Sequence, residues 1–180
     1  MEIMRRRIDR FGVSEPLIQT SGDDKIIIQV PALRQEDRDE ARRIISQVAQ
    51  LDFRLSHPES EDLIRDNEQF VPLAERMRYV QKGKSGEQIV YEHFILKKAA
   101  LGGKHIKSAT ARRNDLTGVP EIHFTLDAIG ANKFAKVTET HRVGNGDERL
   151  LAIVLDDELI SAPSINGRIH ARGQITGDFS

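Results

Sequence analysis

The chain has 180 residues, of which 38% are apolar and 31% charged, and its formal net charge is −1. It has no Cys, which excludes disulfides, thiol nucleophiles and Cys-rich zinc sites. The near balance of acid and base gives no bulk attraction to nucleic acid or to anionic membranes. No apolar run reaches the ~18 residues needed to span a bilayer, and no signal peptide is visible. This composition predicts a globular chain of one domain or two small ones.

The first 57 residues predict the element order α-β-β-α-β. Apolar residues at helical spacing indicate a helix over 1–11, and a core-facing stripe over 41–49 indicates a second helix that begins near Glu36. Strands are expected over 17–20 and 25–30, and alternation over 51–56 predicts a half-buried strand. This is a ferredoxin-like βαββαβ order without its first strand. The strands beside that gap are expected to have unpaired edges, which another chain or a rearranged segment fills.

Residues 58–180 predict a second, mixed α+β region. Gln81 to Gly86 is expected to form the tip of a hairpin, and Asp156-Asp157 the turn of another. Asp127 is a predicted N-cap for a helix. The apolar side of that helix carries Ala131, Phe134, Ala135 and Thr138. Further strands are expected over 76–80, 88–96, 122–126, 150–155 and 174–179.

No segment predicts a catalytic site. Lys82-Gly83-Lys84-Ser85 ends like a phosphate-binding loop, but Arg78 stands where that motif requires its first Gly. The Asp156-Asp157-Glu158 cluster is typical of a solvated turn, because three adjacent acids point in diverging directions. The six His have no zinc-site spacing; they are His57, His93, His105, His123, His141 and His170. We therefore predict no catalytic residue, no metal ligand and no cofactor, and a protein that binds rather than one that catalyses.

Nucleic-acid binding is also disfavoured. A basic patch of Arg5, Arg6, Arg7 and Arg10 spreads around the predicted first helix instead of focusing on one face. Ferredoxin-like RNA binders stack bases on aromatic residues of their inner strands. Here the corresponding stretch, 26–28, consists of Ile, and the chain has no Trp and only two Tyr.

Four segments along the chain carry a recognisable pattern in a fixed order. They are Ile3 to Pro16 (IMRRRIDRFGVSEP), Lys25 to Pro31 (KIIIQVP), Ala49 to Arg54 (AQLDFR) and Leu151 to Phe179, which contains LAIVLD, SAPSI and ITGDF. Together they resemble the SecD subunit of the bacterial SecDF protein-translocation accessory complex. Residues 58–100 match that family poorly, and Asp157 stands where the family usually has Gly.

The resemblance implies a domain outside the cytoplasm, between the first two membrane helices of SecD, with a ferredoxin-like base and a mobile head. Residues 1–57 would form an incomplete base and 58–180 the head. The chain would be a fragment trimmed at both ends, attached to the inner membrane only through helices that it lacks. The family's proton-coupling residues lie in those helices, so none is carried over to this chain.

The function that the resemblance implies is binding of emerging unfolded preproteins and assistance of proton-driven export, with SecF and the SecYEG channel as partners. No substrate-binding residue is assigned. The alternative is a free-standing ferredoxin-like module that binds a regulatory small molecule. A hydrolase or transferase is a third reading, which requires a concave pocket with convergent polar groups.

Overall fold

The computed structural model describes residues 17–21, 25–29, 38–39, 50–83, 85–113 and 120–176. The chain divides into two compact units, Met1–Val48 and Ala49–Ser180. In the first unit, strands β1 (Leu17–Ser21) and β2 (Lys25–Gln29) pair in antiparallel fashion. The two strands predicted over 17–20 and 25–30 are thus confirmed as β1 and β2.

The second unit is rich in strands and has few helices. Its strand-dominated mixture agrees with the predicted α+β class, and the ferredoxin-like base stays a prediction. The elements in chain order are β3 (Leu51–Ser56), α1 (Ser60–Arg65), β4 (Ala74–Lys82), β5 (Gln88–Gly102), a 3-10 turn (Gly103–His105), β6 (Ile106–Arg113), β7 (Pro120–Leu126), α2 (Ala128–His141), β8 (Leu151–Leu155), β9 (Glu158–Ser161) and β10 (Arg172–Thr176).

Five strands form an antiparallel sheet in the order β4-β5-β3-β8-β9. Its two outer strands, β4 and β9, contact one another, so the sheet is strongly curled. The concave side encloses a small apolar core of its own. The residues of this inner core are Met77, Ile95, Ala152, Val154, Leu159 and Ala162.

The other face of the curled sheet packs against α2 and a second sheet of order β10-β7-β6. Three aromatic rings lie at the centre of this larger core. The ring centroid of Phe134 on α2 is 5.1 Å from that of Phe53 and 6.1 Å from that of Phe124. Aromatic rings at these separations contribute both buried area and favourable edge contacts. Phe134 is completely buried, so α2 is fixed to both sheets through this residue.

Helix α2 begins where the sequence predicts. The Asp127 carboxylate accepts a hydrogen bond of 2.6 Å from the Gly130 N–H, as an N-cap does. It also lies 3.1 Å from Nδ1 of His105. The Gly130 N–H, together with His105, holds the pKa of Asp127 below its ordinary value. All four residues predicted for the apolar side of α2, from Ala131 to Thr138, are buried.

Thr138 joins α2 to the segment that precedes β10. Its hydroxyl donates to the Phe134 carbonyl at 2.8 Å and accepts from the Ile169 N–H at 2.8 Å. Thr138→Val removes this acceptor and leaves a backbone donor without a partner. We expect the free energy of unfolding, measured with urea, to fall by about 1–3 kcal/mol. Thr138→Ser keeps the hydroxyl, and protection of the Ile169 amide from hydrogen exchange should fall only in the Val variant. Equal protection in both variants would contradict this role.

Both predicted hairpins are confirmed. The β4–β5 hairpin turns within 83–87, and the β8–β9 hairpin turns at Asp156 and Asp157, whose φ angles are 49° and 64°. Two consecutive positive φ angles are typical of a type I′ turn, whose twist matches that of paired strands. The last predicted strand, 174–179, is observed as β10 from Arg172, with residues 177–180 outside the described part.

Strand β3 differs from its prediction. It was expected to be half-buried, yet it lies between β5 and β8 and pairs with both. The polar residues Asp52, Arg54 and Ser56 are as buried as the apolar ones, because the sheet curls around them. A strand between two others in a curled sheet has no solvent face, so alternation does not indicate exposure there.

Several predictions fall largely outside the described residues. They are the helix over 1–11 with its basic patch, most of the helix over 36–49, and the gap expected in the base. Within the second of these, residues 38–39 are helical. None of the helices in the described part of the chain is long and apolar enough to cross a membrane.

Candidate functional site

The phosphate-loop-like segment forms a hairpin turn. The Gly83 N–H donates to the Glu87 carbonyl at 2.7 Å, and the Gly86 N–H donates to the Gly83 carbonyl at 2.9 Å. The turn connects two antiparallel strands, β4 and β5. A phosphate-binding loop instead connects a strand to a helix N-terminus, so this segment lacks the required context.

Two acidic side chains at the β8–β9 turn, those of Asp156 and Asp157, contact other parts of the fold. Oδ1 of Asp156 accepts a hydrogen bond of 2.9 Å from the Gln50 N–H. Asp157 lies 3.7 Å from the guanidinium of Arg54. Within the described ranges, no group of three or more His, Asp or Glu side chains is placed to hold a metal ion.

Three of the His residues each face a single carboxylate. His105 lies 3.1 Å from Asp127, His123 lies 3.1 Å from Glu121, and His141 lies 3.1 Å from Asp147. These pairs are separate in the fold. Isolated pairs of this kind orient imidazole rings but do not by themselves form a nucleophilic or general-base site.

A shallow cleft of about 320 Å³ lies beside His57 and His93, with Glu59, Glu61 and Glu148 among its lining residues. Burial lowers the pKa of His93 below its ordinary value, and the Glu61 carboxylate opposes this effect. The His93 ring also stacks near that of Tyr79, at a centroid distance of 6.2 Å.

The lowered pKa of His93 makes stability depend on pH. The unfolded chain binds a proton at His93 more readily than the folded chain does. The contribution of neutral His93 to stability is therefore fully present above the ordinary His pKa of about 6.5 and is lost as pH drops below it. We expect the urea midpoint to decrease between pH 7.5 and pH 5.5, and His93→Gln to flatten that decrease. The exposed His170, changed to Gln, is the control. An unaltered pH slope in His93→Gln would show that other groups dominate.

A buried ionic cluster lies inside the curled sheet. Arg54 donates from Nη2 to Asp52 at 3.2 Å and from Nη1 to Glu75 at 3.1 Å. The Arg54 side chain is 9% exposed and that of Asp52 is 11% exposed, whereas Glu75 reaches solvent. The Arg54 Nε has no hydrogen-bond partner among the described residues. The cluster is closed off from solvent on the Asp52 side, where it stabilises the fold.

The outer part of the β4–β5 hairpin exposes several apolar side chains on regular structure. Strand β3 pairs with β5 only from Ile95 to Gly102, so residues 88–93 of β5 extend beyond it. Val80 and Val90 lie opposite each other on one face and are 55% and 56% exposed. Apolar surface is normally buried, and exposed patches on a projecting element are typical of interaction sites.

The opposite face of this hairpin is aromatic. The rings of Tyr79 and Tyr91 stack, with centroids 5.1 Å apart and planes at 16°, and Ile89 is partly exposed beside them. Burial, with a contribution from Tyr91, raises the pKa of Tyr79, so its phenol is uncharged at neutral pH. We call Tyr79, Val80, Ile89, Val90 and Tyr91 the hairpin surface.

The loop before β4 adds two exposed apolar side chains. Phe70 and Leu73 are 76% and 80% exposed. Leu73 has a φ of 62°, which a bulky side chain rarely adopts. Its carbonyl accepts from the Lys97 N–H at 2.8 Å, and this bond holds the residue at the edge of β4.

The hairpin surface has only a weak signal in the amino-acid sequence. The available signal is Ile89-Val90-Tyr91, three consecutive apolar residues in a strand next to a polar turn. Consecutive apolar residues point to both faces of a strand, so they predict either burial on both sides or exposure of one. Only the partner strands, which lie far away in sequence, decide between these outcomes.

Comparison with known proteins gives the family. The family described as SecDF, P1 head subdomain, matches residues 75–180, and the one described as protein translocase subunit SecDF, P1 domain, N-terminal, matches residues 1–58. The chain belongs to the SecD family. This assignment favours the translocase prediction over the free-standing regulatory module.

Individual relatives agree with the family assignment. The chain is 37% identical to the protein translocase subunit SecD of Magnetococcus marinus over 182 residues and 34% identical to that of Aquifex aeolicus over 181 residues. In both comparisons it is covered completely but spans only 33% of the relative. A crystal structure of SecDF from Thermus thermophilus, described as a translocon-associated membrane protein, matches 99% of the chain with a TM-score of 0.61 and 27% identity. That match covers 24% of the SecDF chain.

Proposed function

We propose that this chain is the extracytoplasmic domain of a SecD-type translocase subunit that binds emerging unfolded preproteins. The observation that carries the proposal is the hairpin surface, which exposes apolar side chains on both faces of a projecting hairpin. An unfolded polypeptide offers scattered apolar side chains and free backbone groups. A two-stranded projection with apolar faces can contact both without requiring one sequence.

In the intact subunit, residues 1–57 belong to a ferredoxin-like base and 58–180 form the head, with β3, the last strand of the base portion, paired into the sheet of the head. The domain lies on the periplasmic face of the inner membrane, with SecF and the SecYEG channel as partners. Proton flow through membrane helices absent from this chain moves the head relative to the base and so assists completion of export. Relatives named as protein translocase subunits, and family matches over both parts, support this assignment.

The test is binding of an unfolded, fluorescently labelled preprotein to the 180-residue chain, followed by anisotropy. Val80→Ser combined with Val90→Ser should weaken binding about 10-fold, because each exposed Val loses an apolar contact. Both positions are exposed, so the free energy of unfolding should change by less than about 1 kcal/mol for the pair.

The matched control is Ile129→Ser, which alters an exposed apolar residue on α2 away from the hairpin. It should bind like the unmodified chain. Absence of binding by the unmodified chain, to any unfolded polypeptide tried, would refute the proposal. Binding that is unaffected by the double substitution would remove the hairpin surface from it.

A further inference from the structure

A second feature of the head is a cleft of about 520 Å³ between β10 and the segment 163–169. Its volume falls within the range of ligand-binding clefts. Side chains of Leu151, Ile165, Ile169 and Ile175 supply an apolar floor. The cleft lies entirely within the second compact unit.

One wall of the cleft is a free strand edge. β10 pairs with β7 on one side only among the described strands. The Leu126 N–H donates to the Ala171 carbonyl, and antiparallel pairs alternate between bonded and non-bonded positions. Register therefore directs the backbone groups of Gly173 and Ile175 toward β7, and those of Arg172 and Gln174 outward. No backbone hydrogen bond links 163–169 to β10 in the described part of the chain.

The other wall is held in place before anything binds. The Ile169 N–H donates to Thr138 at 2.8 Å, and the Val143 N–H donates to the Ile165 carbonyl at 2.9 Å. Ser164 forms an isolated bridge to Leu150. A wall fixed at both ends needs little ordering on binding, which favours affinity.

The rim of the cleft is basic. Arg168 and Arg172 both line it and are exposed, and neither has a carboxylate partner among the described residues. The described lining contains no Asp or Glu. Two exposed arginines that line a cleft with an apolar floor are complementary to a segment that carries carboxylates beside an apolar side chain.

We propose that this cleft binds an extended polypeptide segment, in which an apolar residue is flanked by acidic residues, as an added strand along β10. The backbone of the segment bonds to the outward groups of Arg172 and Gln174. Its apolar side chain lies on the floor, and its carboxylates contact Arg168 and Arg172. This rests on the proposed function, because the segment belongs to an unfolded preprotein, but it names a site and a sequence preference beyond the hairpin surface.

The experiment uses the 180-residue chain and two labelled, unstructured peptides, one with Asp on either side of Leu and one with Lys in place of Asp. Gln174→Pro removes one outward N–H without removing a bond to β7, and an edge strand tolerates Pro there. Gln174→Pro should lower the affinity for the Asp peptide about 10-fold, whereas the affinity of the matched Gln174→Ala variant should stay within about 3-fold of that of the unmodified chain.

Charge reversal tests the rim separately. Arg168→Glu combined with Arg172→Glu should reverse the preference, so that the Lys peptide binds more tightly than the Asp peptide. Circular dichroism and urea unfolding verify that each variant is folded. An equal response of both peptides to every variant overturns the proposal.

Three further outcomes separate the hypotheses. In the first, unfolded preprotein binds normally to the Gln174→Pro and charge-reversed variants but not to the Val80→Ser/Val90→Ser variant. This result overturns the proposal that the cleft binds polypeptide and leaves the proposed function standing. Absence of all polypeptide binding overturns both. A dimer of the unmodified chain that Gln174→Pro dissociates assigns the β10 edge to a second copy and overturns the proposal.

Discussion

Replacing Phe134 with Ala is expected to lower the free energy of unfolding by about 3–5 kcal/mol. Phe134 has no exposed surface, and its ring packs between those of Phe53 and Phe124. Removal of the ring loses transfer free energy and leaves a cavity that two sheets and a helix cannot readily close. For a domain whose total stability is about 5–15 kcal/mol, this is a large share.

Urea unfolding of the unmodified chain, Phe134→Ala and Ile129→Ala provides the comparison. Ile129 lies on the same helix but is 60% exposed, so its truncation should change stability by no more than about 0.5 kcal/mol. Neither variant loses helix propensity, because Ala is the best helix former. If Phe134→Ala and Ile129→Ala were equally mild, the aromatic cluster would not be the centre of the core.

The elements that the sequence predicts best are those with local signals. Asp127 is followed by apolar residues at helical spacing, and α2 begins directly after it. The two Asp at 156–157 separate a continuous apolar run from a short second strand, and they form the expected turn. In both cases the decisive interactions connect residues only a few positions apart, so composition and spacing carry the information.

Strand β3 shows why the rest could not be predicted. Its neighbours in the sheet are residues 95–102 and 151–155, which lie about 40–50 and about 100 positions away. Alternation in β3 correctly indicated a strand, but burial of Asp52 and Arg54 depends on curling of the sheet around them. Sequence spacing contains no measure of that curvature, so the half-buried assignment was wrong.

In the candidate surfaces, too, the features with local sequence signals were predictable and those that depend on distant residues were not. The hairpin around residues 81–86 was predictable from its turn residues, whereas exposure of Val80 and Val90 depends on where β3 stops pairing with β5. The β10 cleft brings 163–169 and 172–175 together across an irregular segment with no periodic pattern. Family resemblance predicted the translocase assignment but gave no binding residue, because those residues are set by tertiary geometry.

Replacing Arg54 with Met is expected to lower the free energy of unfolding by about 3–5 kcal/mol, since it leaves a buried carboxylate without its cation. Asp52 keeps one hydrogen bond, from the Gln50 side-chain amide at 3.1 Å. One neutral donor stabilises a poorly solvated carboxylate much less than the charged hydrogen bond of a guanidinium does. Glu75 is less affected, because it is partly exposed to water.

The decisive comparison is the double variant Arg54→Met with Asp52→Leu, measured by urea unfolding beside both single variants. Because the surrounding inner core is apolar, with Val154, Ile95 and Met77 in it, two apolar side chains can replace the pair. We expect the double variant to be more stable than Arg54→Met alone, since no unpaired charge remains buried. A double variant that loses the sum of the single effects would mean that Arg54 stabilises the curled sheet through packing of its stem rather than through its charge.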